Sequence, residues 1–185
     1  DDIGASLSNI NILNELARRT ISQPEKSKEY LSKASEDIQR ISESLADIVW
    51  NINPRYDDLQ NLFIKMKRYA ADMLDGKNIN GQFDFPVNEP KLALSMTQRR
   101  DLYLIFKEAI NNLVKYAQAK NATVRVFADD HKIELLIKDD GKGFDINQVL
   151  TKKGMGLKSI DSRVKYLNGT VHYDSSPNHG TTVNI

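Results

Sequence analysis

Hydrophobic positions in the first third of the chain recur every three or four residues, a spacing typical of amphipathic helices. Two such runs are separated at residues 22–25, where Ser22 and Glu25 have capping-box spacing and Pro24 is tolerated in a first turn. The second run is predicted to end before Pro54, because the residue preceding a proline avoids helical backbone angles. The first run, with one polar member, is Ile3, Leu7, Ile10, Asn14, Ala17 and Ile21. The second run is Leu31, Ala34, Ile38, Ile41, Leu45, Ile48 and Ile52.

The second run is a narrow apolar seam of the kind found in coiled coils. A helix over residues 24–53 would be about 45 Å long, at about 1.5 Å per residue. A two-helix hairpin of that length cannot bury two such seams against itself. We therefore predict that residues 1–54 of two copies pair into a dimeric four-helix bundle. The alternative is a monomeric hairpin that packs on the second part of the chain.

The second part of the chain mixes helical and strand patterns. A third helix is predicted over residues 58–74, with Asp57 and Gln60 forming its N-terminal box. Alternating apolar residues then predict strands, and Asp129-Asp130-His131 is typical of a hairpin turn. The strands are predicted near 79–85 and at 123–128, 132–138, 171–174 and 181–185, and two further helices at 96–118 and 157–167. Helices on one face of a small sheet form an α+β sandwich.

Two domains are therefore predicted: a helical hairpin over residues 1–54, and a linker helix with an α/β sandwich over residues 55–185. The 26 Lys and Arg against 25 Asp and Glu leave a net charge of +1, so no strong field indicates a nucleic acid or membrane partner. The absence of cysteine excludes disulfides, thiolate catalysis and Cys-ligated zinc. No apolar run approaches the roughly 18 residues of a membrane span. The first residues are typical of neither a signal peptide nor a natural start, so we expect a soluble piece of a longer protein.

A polar stripe on the predicted helix 96–118 is the first candidate for chemistry. Glu108, Asn112 and Lys115 lie within about 60° of one another on a helical wheel. The opposite apolar arc includes Tyr116, which we expect to pack inside. Taken alone, such a stripe favours a solvated surface with pairs between successive turns.

Glycine turns strengthen the case for a functional site. The motif Asp139-x-Gly141-x-Gly143 directly follows an apolar strand, Gly154-x-Gly156-Leu157 opens a helix, and Gly180-Thr181 opens a strand. Glycine lets backbone amides approach a phosphate closely, and a helix N-terminus favours bound anions. Each glycine pair alone is a weak signal, because hairpins also need glycine. Together with the Glu108-x-x-x-Asn112 helix, these three motifs in this order and at these spacings are specific.

The order of these motifs resembles the Bergerat ATP-binding fold, which is shared by gyrase-type, heat-shock chaperone and mismatch-repair ATPases and by histidine kinases. Within that superfamily, residues 107–117 resemble sensor histidine kinases of the nitrate-sensor and lipid-sensor subfamily, in which a histidine stands at the position of Tyr116. Residues 1–7 resemble the segment that follows the phospho-accepting histidine in that subfamily. Residues 49–54 resemble the end of its second dimerization helix, so the resemblance covers essentially the whole chain.

The resemblance implies roles for the matched residues. Asn112 would coordinate the Mg2+ that bridges the phosphates of ATP, Glu108 would be the acidic group near the γ-phosphate, and Lys115 would meet phosphate charge. Asp139 would accept the amino group of adenine, and Thr181 would support that contact. The other implied ATP-binding positions are Gly141, Gly143, Gly154, Gly156 and Leu157.

The resemblance also implies the position of the phosphate acceptor. The acceptor histidine would stand immediately before Asp1, so this chain should bind ATP but not autophosphorylate, and Asp1 would assist phosphotransfer. The γ-phosphate would pass to that histidine and then to an aspartate on a response-regulator receiver domain. The chain would be the cytoplasmic kinase core of a bacterial inner-membrane sensor: a homodimer through residues 1–54, with no nucleic acid partner and no direct membrane contact.

Three alternatives stay open: an ATPase of the same fold, a serine kinase of the anti-sigma type, and a pseudokinase dimer scaffold. The long apolar seam disfavours the first two, and intact Glu108, Asn112 and Asp139 disfavour the third. The sequence leaves open the stimulus, the cognate regulator, phosphatase activity and whether autophosphorylation occurs in cis or in trans.

Overall fold

A computed structural model describes residues 3–52, 58–87, 90–146 and 155–185, without the side chains at 3, 43, 44, 46–52 and 155. The chain forms two compact units, Asp1–Pro54 and Arg55–Ile185. Within the described ranges, no helix is long and apolar enough to cross a bilayer.

The first unit is a helical hairpin of α1 (Ile3–Arg19) and α2 (Pro24–Ile52). Its contact face is small and apolar, and its core consists of Ile10, Leu13, Ala34 and Ile41, with Tyr30 packed against them. One polar group lies in this face: the Asp37 carboxylate, which accepts a hydrogen bond from Asn9 Nδ2 at 2.6 Å and pairs with Arg40 at 2.8 Å.

The predicted apolar seam divides between two sides of the hairpin. Ala34 and Ile41 face α1, whereas the residues that follow a seven-residue repeat, Leu31, Ile38 and Leu45, are exposed in the single chain. On α1, Leu13 is buried although it lies outside the predicted seam, and Leu7 is exposed. A 3-4 pattern contains two parallel lines of side chains, and only one of them can face a single neighbouring helix.

The second unit begins with α3 (Leu59–Asp75), whose N-cap differs from the prediction. Asp58 has extended backbone angles, and its carboxylate accepts the backbone N–H of Asn61 at 2.6 Å. The predicted box of Asp57 and Gln60 was therefore wrong by one residue: the cap spans Asp58 and Asn61, and Asp57 itself lies outside the described residues. The buried face of α3 is Leu59, Leu62, Phe63, Met66, Ala70 and Leu74.

A five-stranded sheet forms the second layer of this unit. Its strands are β1 (Asn80–Asp84), β2 (Asn121–Ala128), β3 (Ile133–Asp139), β4 (His172–Ser175) and β5 (Thr181–Asn184). They lie in the order β1-β2-β3-β5-β4, and all neighbours are antiparallel except β1 and β2. Alternate residues of β2 and β3 are buried, namely Ala122, Val124, Val126, Leu135 and Ile137.

Helices α3, α4 (Met96–Asn112) and α5 (Met155–Tyr166) complete the α/β sandwich. A full capping box begins α4: Ser95 Oγ accepts the Gln98 N–H at 3.2 Å, and the Gln98 side chain accepts the Ser95 N–H at 2.8 Å. The predicted class, an α+β fold with an N-terminal helical hairpin, is confirmed.

The end of α4 departs from a regular helix. Residues Leu113–Ala117 form a π-helical turn, and Gln118 ends it in the left-handed region with φ 55°. A π turn uses i→i+5 hydrogen bonds, so it holds more residues per turn and shifts the faces of the helix. Ala117 is consequently buried and Tyr116 is 62% exposed. The expectation that Tyr116 packs inside was wrong.

Candidate functional site

Two residues of α4 meet the first turn of α5. Glu108 and Asn112 are four residues apart and lie on the same side of α4. Gly156, the second residue of α5, lies directly against them: a Cβ added there would collide with the Glu108 carboxylate and stand 3.3 Å from Asn112 Oδ1. A side chain at position 156 would therefore displace the Glu108 carboxylate from its place beside Asn112.

The Asn112 amide is only partly satisfied. Its Nδ2 atom is buried and has no hydrogen-bond partner among the described residues. A buried donor without an acceptor costs about 1–3 kcal/mol, and a phosphate oxygen would be an acceptor of the right kind. The Oδ1 atom faces the Gly156 turn beside the Glu108 carboxylate. Mg2+ prefers oxygen ligands and is usually bound by one or two protein groups together with phosphate oxygens and water. This pair therefore fits a Mg2+ that arrives with a nucleotide.

A second polar group is built on Asp139, the last residue of β3, which is 6% exposed. Its Oδ1 accepts the backbone N–H of Gly141 at 2.8 Å, and the backbone N–H of Thr181, its register partner on β5, also donates to the carboxylate. Burial raises the pKa of Asp139 above its ordinary value, and these two hydrogen bonds oppose that shift. A carboxylate has about four acceptor positions, so Asp139 can still accept a bond from a ligand amino group.

The neighbouring Asp140 has a different role. It is exposed, and its Oδ1 accepts the backbone N–H groups of Lys120 and Asn121 at 2.8 and 2.9 Å. These hydrogen bonds, first that of Asn121, lower the pKa of Asp140. Asp140 therefore holds the start of β2 in place, whereas Asp139 keeps acceptor capacity inside the sheet.

The loop after β3 is packed too closely for side chains. Gly143 has φ 57° and Gly180 has φ 73°, conformations that residues other than glycine rarely adopt. A Cβ on Gly143 would collide with the Ser176 carbonyl, and one on Gly180 would collide with the Asp139 carbonyl. The glycines at these two positions therefore allow the β4–β5 turn to close over the end of β3.

The π turn joins these two groups of residues. Its last carbonyl, on Ala117, accepts the Lys142 N–H at 2.8 Å, and a Cβ on Gly141 would collide with it. The glycine loop after Asp139 is therefore docked on the same segment that continues from Asn112. Lys115 is exposed on this turn.

Most residues that the motifs identified belong to one of these two groups. Glu108, Asn112 and Gly156 form the first. The second contains Asp139, Gly141, Gly143 and Thr181. Leu157 is half-buried in α5. Gly154 and Asp1 lie outside the described residues, so their predicted roles are not addressed.

Two residues at the site were missed by sequence reasoning. Ser175 Oγ accepts the Phe144 N–H at 2.9 Å and donates to the Gly180 carbonyl at 2.9 Å, which ties the glycine loop to the β4–β5 turn. Tyr69 of α3 donates from its hydroxyl to Asn111 Oδ1 at 2.7 Å, beside the Asn112 pair. Neither residue belongs to a sequence motif, because each acts through a contact between distant segments.

Comparison with known proteins agrees with this geometry. Residues 97–185 match the family described as histidine kinase-, DNA gyrase B-, and HSP90-like ATPase. The chain is 27% identical to the signal transduction histidine-protein kinase/phosphatase UhpB of Salmonella typhimurium, over 100% of this chain and 36% of UhpB. It is 36% identical to the signal transduction histidine-protein kinase/phosphatase DegS of Bacillus subtilis, over 45% of this chain and 22% of DegS. The chain thus spans little more than a third of the length of UhpB and less than a quarter of the length of DegS.

Solved structures show the same fold at low sequence identity. The Acinetobacter baumannii histidine kinase AdeS superposes with a TM-score of 0.61 at 19% identity, over 96% of this chain and 94% of AdeS. The histidine kinase domain of the Erythrobacter litoralis EL346 blue-light activated histidine kinase superposes with a TM-score of 0.61 at 13% identity, over 97% and 92% of the two chains. The resemblance to sensor histidine kinases is thereby confirmed, and residues 97–185 are similar to the ATPase domain that histidine kinases share with DNA gyrase B and HSP90.

Proposed function

We propose that this chain is the kinase core of a two-component sensor histidine kinase, which binds Mg-ATP and transfers the γ-phosphate to a histidine. The observation that carries the proposal is the contact of Gly156 with Glu108 and Asn112. It brings an acidic group, an amide oxygen and a helix N-terminus whose second residue is glycine to one place. Phosphoryl transfer asks mainly for positioning and charge neutralisation, and these groups provide both.

Each group has a part in holding the nucleotide. The Asp139 carboxylate accepts the amino group of adenine, while the backbone N–H of Thr181 keeps that carboxylate in place. Asn112 Oδ1 holds Mg2+, which neutralises phosphate charge when bound. Gly141, Gly143, Gly156 and Leu157 line the path of the nucleotide, and Gly154, outside the described residues, is assigned to the same group by its motif alone. Lys115, exposed on the π turn, adds positive charge for the phosphates.

The acceptor is a histidine immediately before Asp1, and Asp1 assists its reaction. The imidazole nitrogen attacks the γ-phosphorus, ADP leaves and the imidazole loses a proton, while Glu108 polarises the attacking ring. An aspartate of a response-regulator receiver domain then takes the phosphoryl group. The histidines of the chain suit this role poorly: His131 and His179 lie in turns, and His172 lies on β4.

A second copy of the chain is part of the proposal. Leu7, Leu31, Ile38 and Leu45 are all exposed and lie on the same side of the hairpin by helical-wheel geometry. Covering this line with the same line of another copy forms a four-helix bundle through residues 1–54. The whole protein is then a bacterial sensor whose kinase core works in the cytoplasm.

Nucleotide binding is tested by equilibrium calorimetry with Mg-ATP. Asp139→Ala should weaken binding about 10- to 100-fold, because it removes a charged hydrogen-bond acceptor from a buried position. Asp174→Ala is the matched control, since Asp174 is an exposed carboxylate on β4 of the same sheet. Equal affinity of the wild type and Asp139→Ala would contradict the proposed site.

Phosphotransfer is tested with the gene extended upstream of Asp1. The extended protein is incubated with Mg-ATP, and the protein-bound phosphate is tested for the acid lability and base stability of phosphohistidine. Labelling should disappear when the histidine before Asp1 is replaced by alanine. Acid-stable phosphate would instead support a serine kinase. ATP binding without any labelling would support an ATPase or a pseudokinase scaffold.

A further inference from the structure

A polar contact joins α3 to α4 beside the proposed Mg-nucleotide site. The Tyr69 hydroxyl on α3 donates a hydrogen bond to Asn111 Oδ1 on α4 at 2.7 Å. The Tyr69 ring lies edge-to-face with Tyr103, with 6.2 Å between centroids, and Lys107 Nζ stands 5.9 Å from the Tyr69 centroid. The ring is thus held on two sides, so its hydroxyl has a defined position.

The acceptor of this bond is next to the residues that would hold the phosphates. Asn111 directly precedes Asn112 and lies three residues after Glu108, which places it on the neighbouring side of the same turn. Burial raises the pKa of Tyr69, and the charge of Glu108 raises it further. The hydroxyl therefore lies within the electrostatic reach of Glu108.

This turn is also the place where α4 loses its regular form. The α-helix ends at Asn112, and the π turn starts at Leu113. The Leu113 N–H is shared between the carbonyls of Ala109 and Ile110, so the hydrogen-bond register is already changing there. The regular α-helical hydrogen bonding thus ends at this turn, and the Asn111 side chain is held there from outside the helix by Tyr69.

We infer that Tyr69 is a positioning residue, which fixes the last turn of α4 through Asn111 and so aims Asn112 at the bound Mg-nucleotide. The inference rests on the proposed function and deepens it. Because Asp139 is proposed to bind the other end of the nucleotide, Tyr69 influences only the part of the nucleotide affinity that comes from the metal and the phosphates. The adenine contact is left unchanged. This selectivity distinguishes positioning from a general loss of stability.

The test compares ADP binding to the full chain in Mg2+ and in EDTA. The ratio of the two affinities measures the metal-dependent gain. In Tyr69→Phe, which keeps the ring contacts, this metal-dependent gain should fall about three- to tenfold, because such a change corresponds to the loss of one hydrogen bond. Affinity in EDTA should stay within about twofold of the wild type. Asn111→Ala should have the same effect, and the double variant should lose no more than either single one, because both remove the same bond.

Tyr103→Phe is the matched control, because Tyr103 shares the ring contact but lies about two turns before Asn111 on α4. It should keep the wild-type gain. An unchanged gain in both Tyr69→Phe and Asn111→Ala would overturn the inference, and so would equal weakening with and without Mg2+. A wild type that binds no ADP, or binds it without any gain from Mg2+, would overturn the proposed function instead. The Asn111→Ala result decides the matter if Tyr69→Phe does not fold.

Discussion

The hairpin and the α/β sandwich are incomplete in opposite ways. In the hairpin, the buried Asp37 is satisfied by Asn9 and Arg40, while large apolar side chains such as Ile38 remain in solvent. The sandwich also exposes some apolar side chains, such as Phe127, but it fully buries a core that includes Phe106, and its buried polar groups keep unused bonding capacity. Asn112 Nδ2 has no acceptor among the described residues, and Asp139 has spare acceptor positions.

This difference indicates the kind of partner that each unit is built for. Exposing an apolar line of side chains to water costs free energy, and covering it with another apolar surface is stabilising. A buried polar group without its full set of hydrogen bonds is stabilised by a small polar ligand. The hairpin therefore suits a second copy of itself, and the sandwich suits a nucleotide. Three substitutions test this contrast.

The largest effect is expected from a charge on the apolar line of the hairpin. Ile38→Asp should weaken self-association at least about 100-fold, because the bundle would have to bury an unpaired carboxylate. Multi-angle light scattering across a concentration series would show a monomer. Ile12→Asp is the matched control: Ile12 is 58% exposed against 51% for Ile38, but it lies on the other side of α1 from Leu7. Dimers that tolerate Ile38→Asp, or that fail equally in both variants, would contradict the bundle.

An intermediate effect is expected from a methyl group at the site. Gly156→Ala should weaken Mg-ATP binding about 10- to 100-fold, because its Cβ collides with the Glu108 carboxylate and displaces it from its place beside Asn112. Gly169→Ala is the control just beyond the other end of α5, where the added Cβ would stand 3.3 Å from Val164 Cγ1. Calorimetry on both variants checks this. Wild-type binding by Gly156→Ala would show that the contact is dispensable.

The smallest effect concerns the pH dependence of folding without nucleotide. Because the pKa of Asp139 is raised in the folded state, that state binds the proton more tightly than the unfolded chain does. The stability from this group is complete below the ordinary value of 3.8 and is lost as the pH rises through the raised pKa. Asp139→Asn removes this loss, so its unfolding free energy should decline less than that of the wild type as the pH is raised.

Urea unfolding at a series of pH values measures this difference directly. Asp174→Asn serves as the control, because its carboxylate is exposed. Curves for Asp139→Asn and the wild type that stay parallel across the acid range would show that burial does not perturb Asp139. The same variant should bind Mg-ATP weakly, so a gain in stability would accompany a loss of function.

Local signals were enough to predict much of the fold. Pro24 marks the start of α2, and alternating residues together with the Asp129-Asp130-His131 turn predicted β2 and β3. The errors arose where two neighbouring residues were equally suitable for one position, or where a contact with a distant segment determined the local structure. Asp57 and Asp58 are chemically identical cap candidates, so only the observed extended backbone at Asp58 separates them.

The site shows the same limit. Glycine and carboxylate motifs predicted which segments take part, because each motif is local in sequence. The π turn was not predictable in this way, since its end is docked on the Gly141 loop through the Ala117 carbonyl. The exposure of Tyr116 and the contacts of Ser175 and Tyr69 follow from such distant pairings. The ATP-binding roles of the residues stay predictions until the binding experiments are made.

The place of β5 between β3 and β4 governs the order in which the sandwich can fold. β2 and β3 form one hairpin from local contacts, and β4 and β5 form another. The two hairpins join only when β3 pairs with β5, which closes a loop that contains α5 and is slow for that reason. That same step sets Thr181 opposite Asp139. We therefore expect the Asp139 end of the site to be assembled late in folding, and a nucleotide bound at the proposed site should slow the separation of the two hairpins.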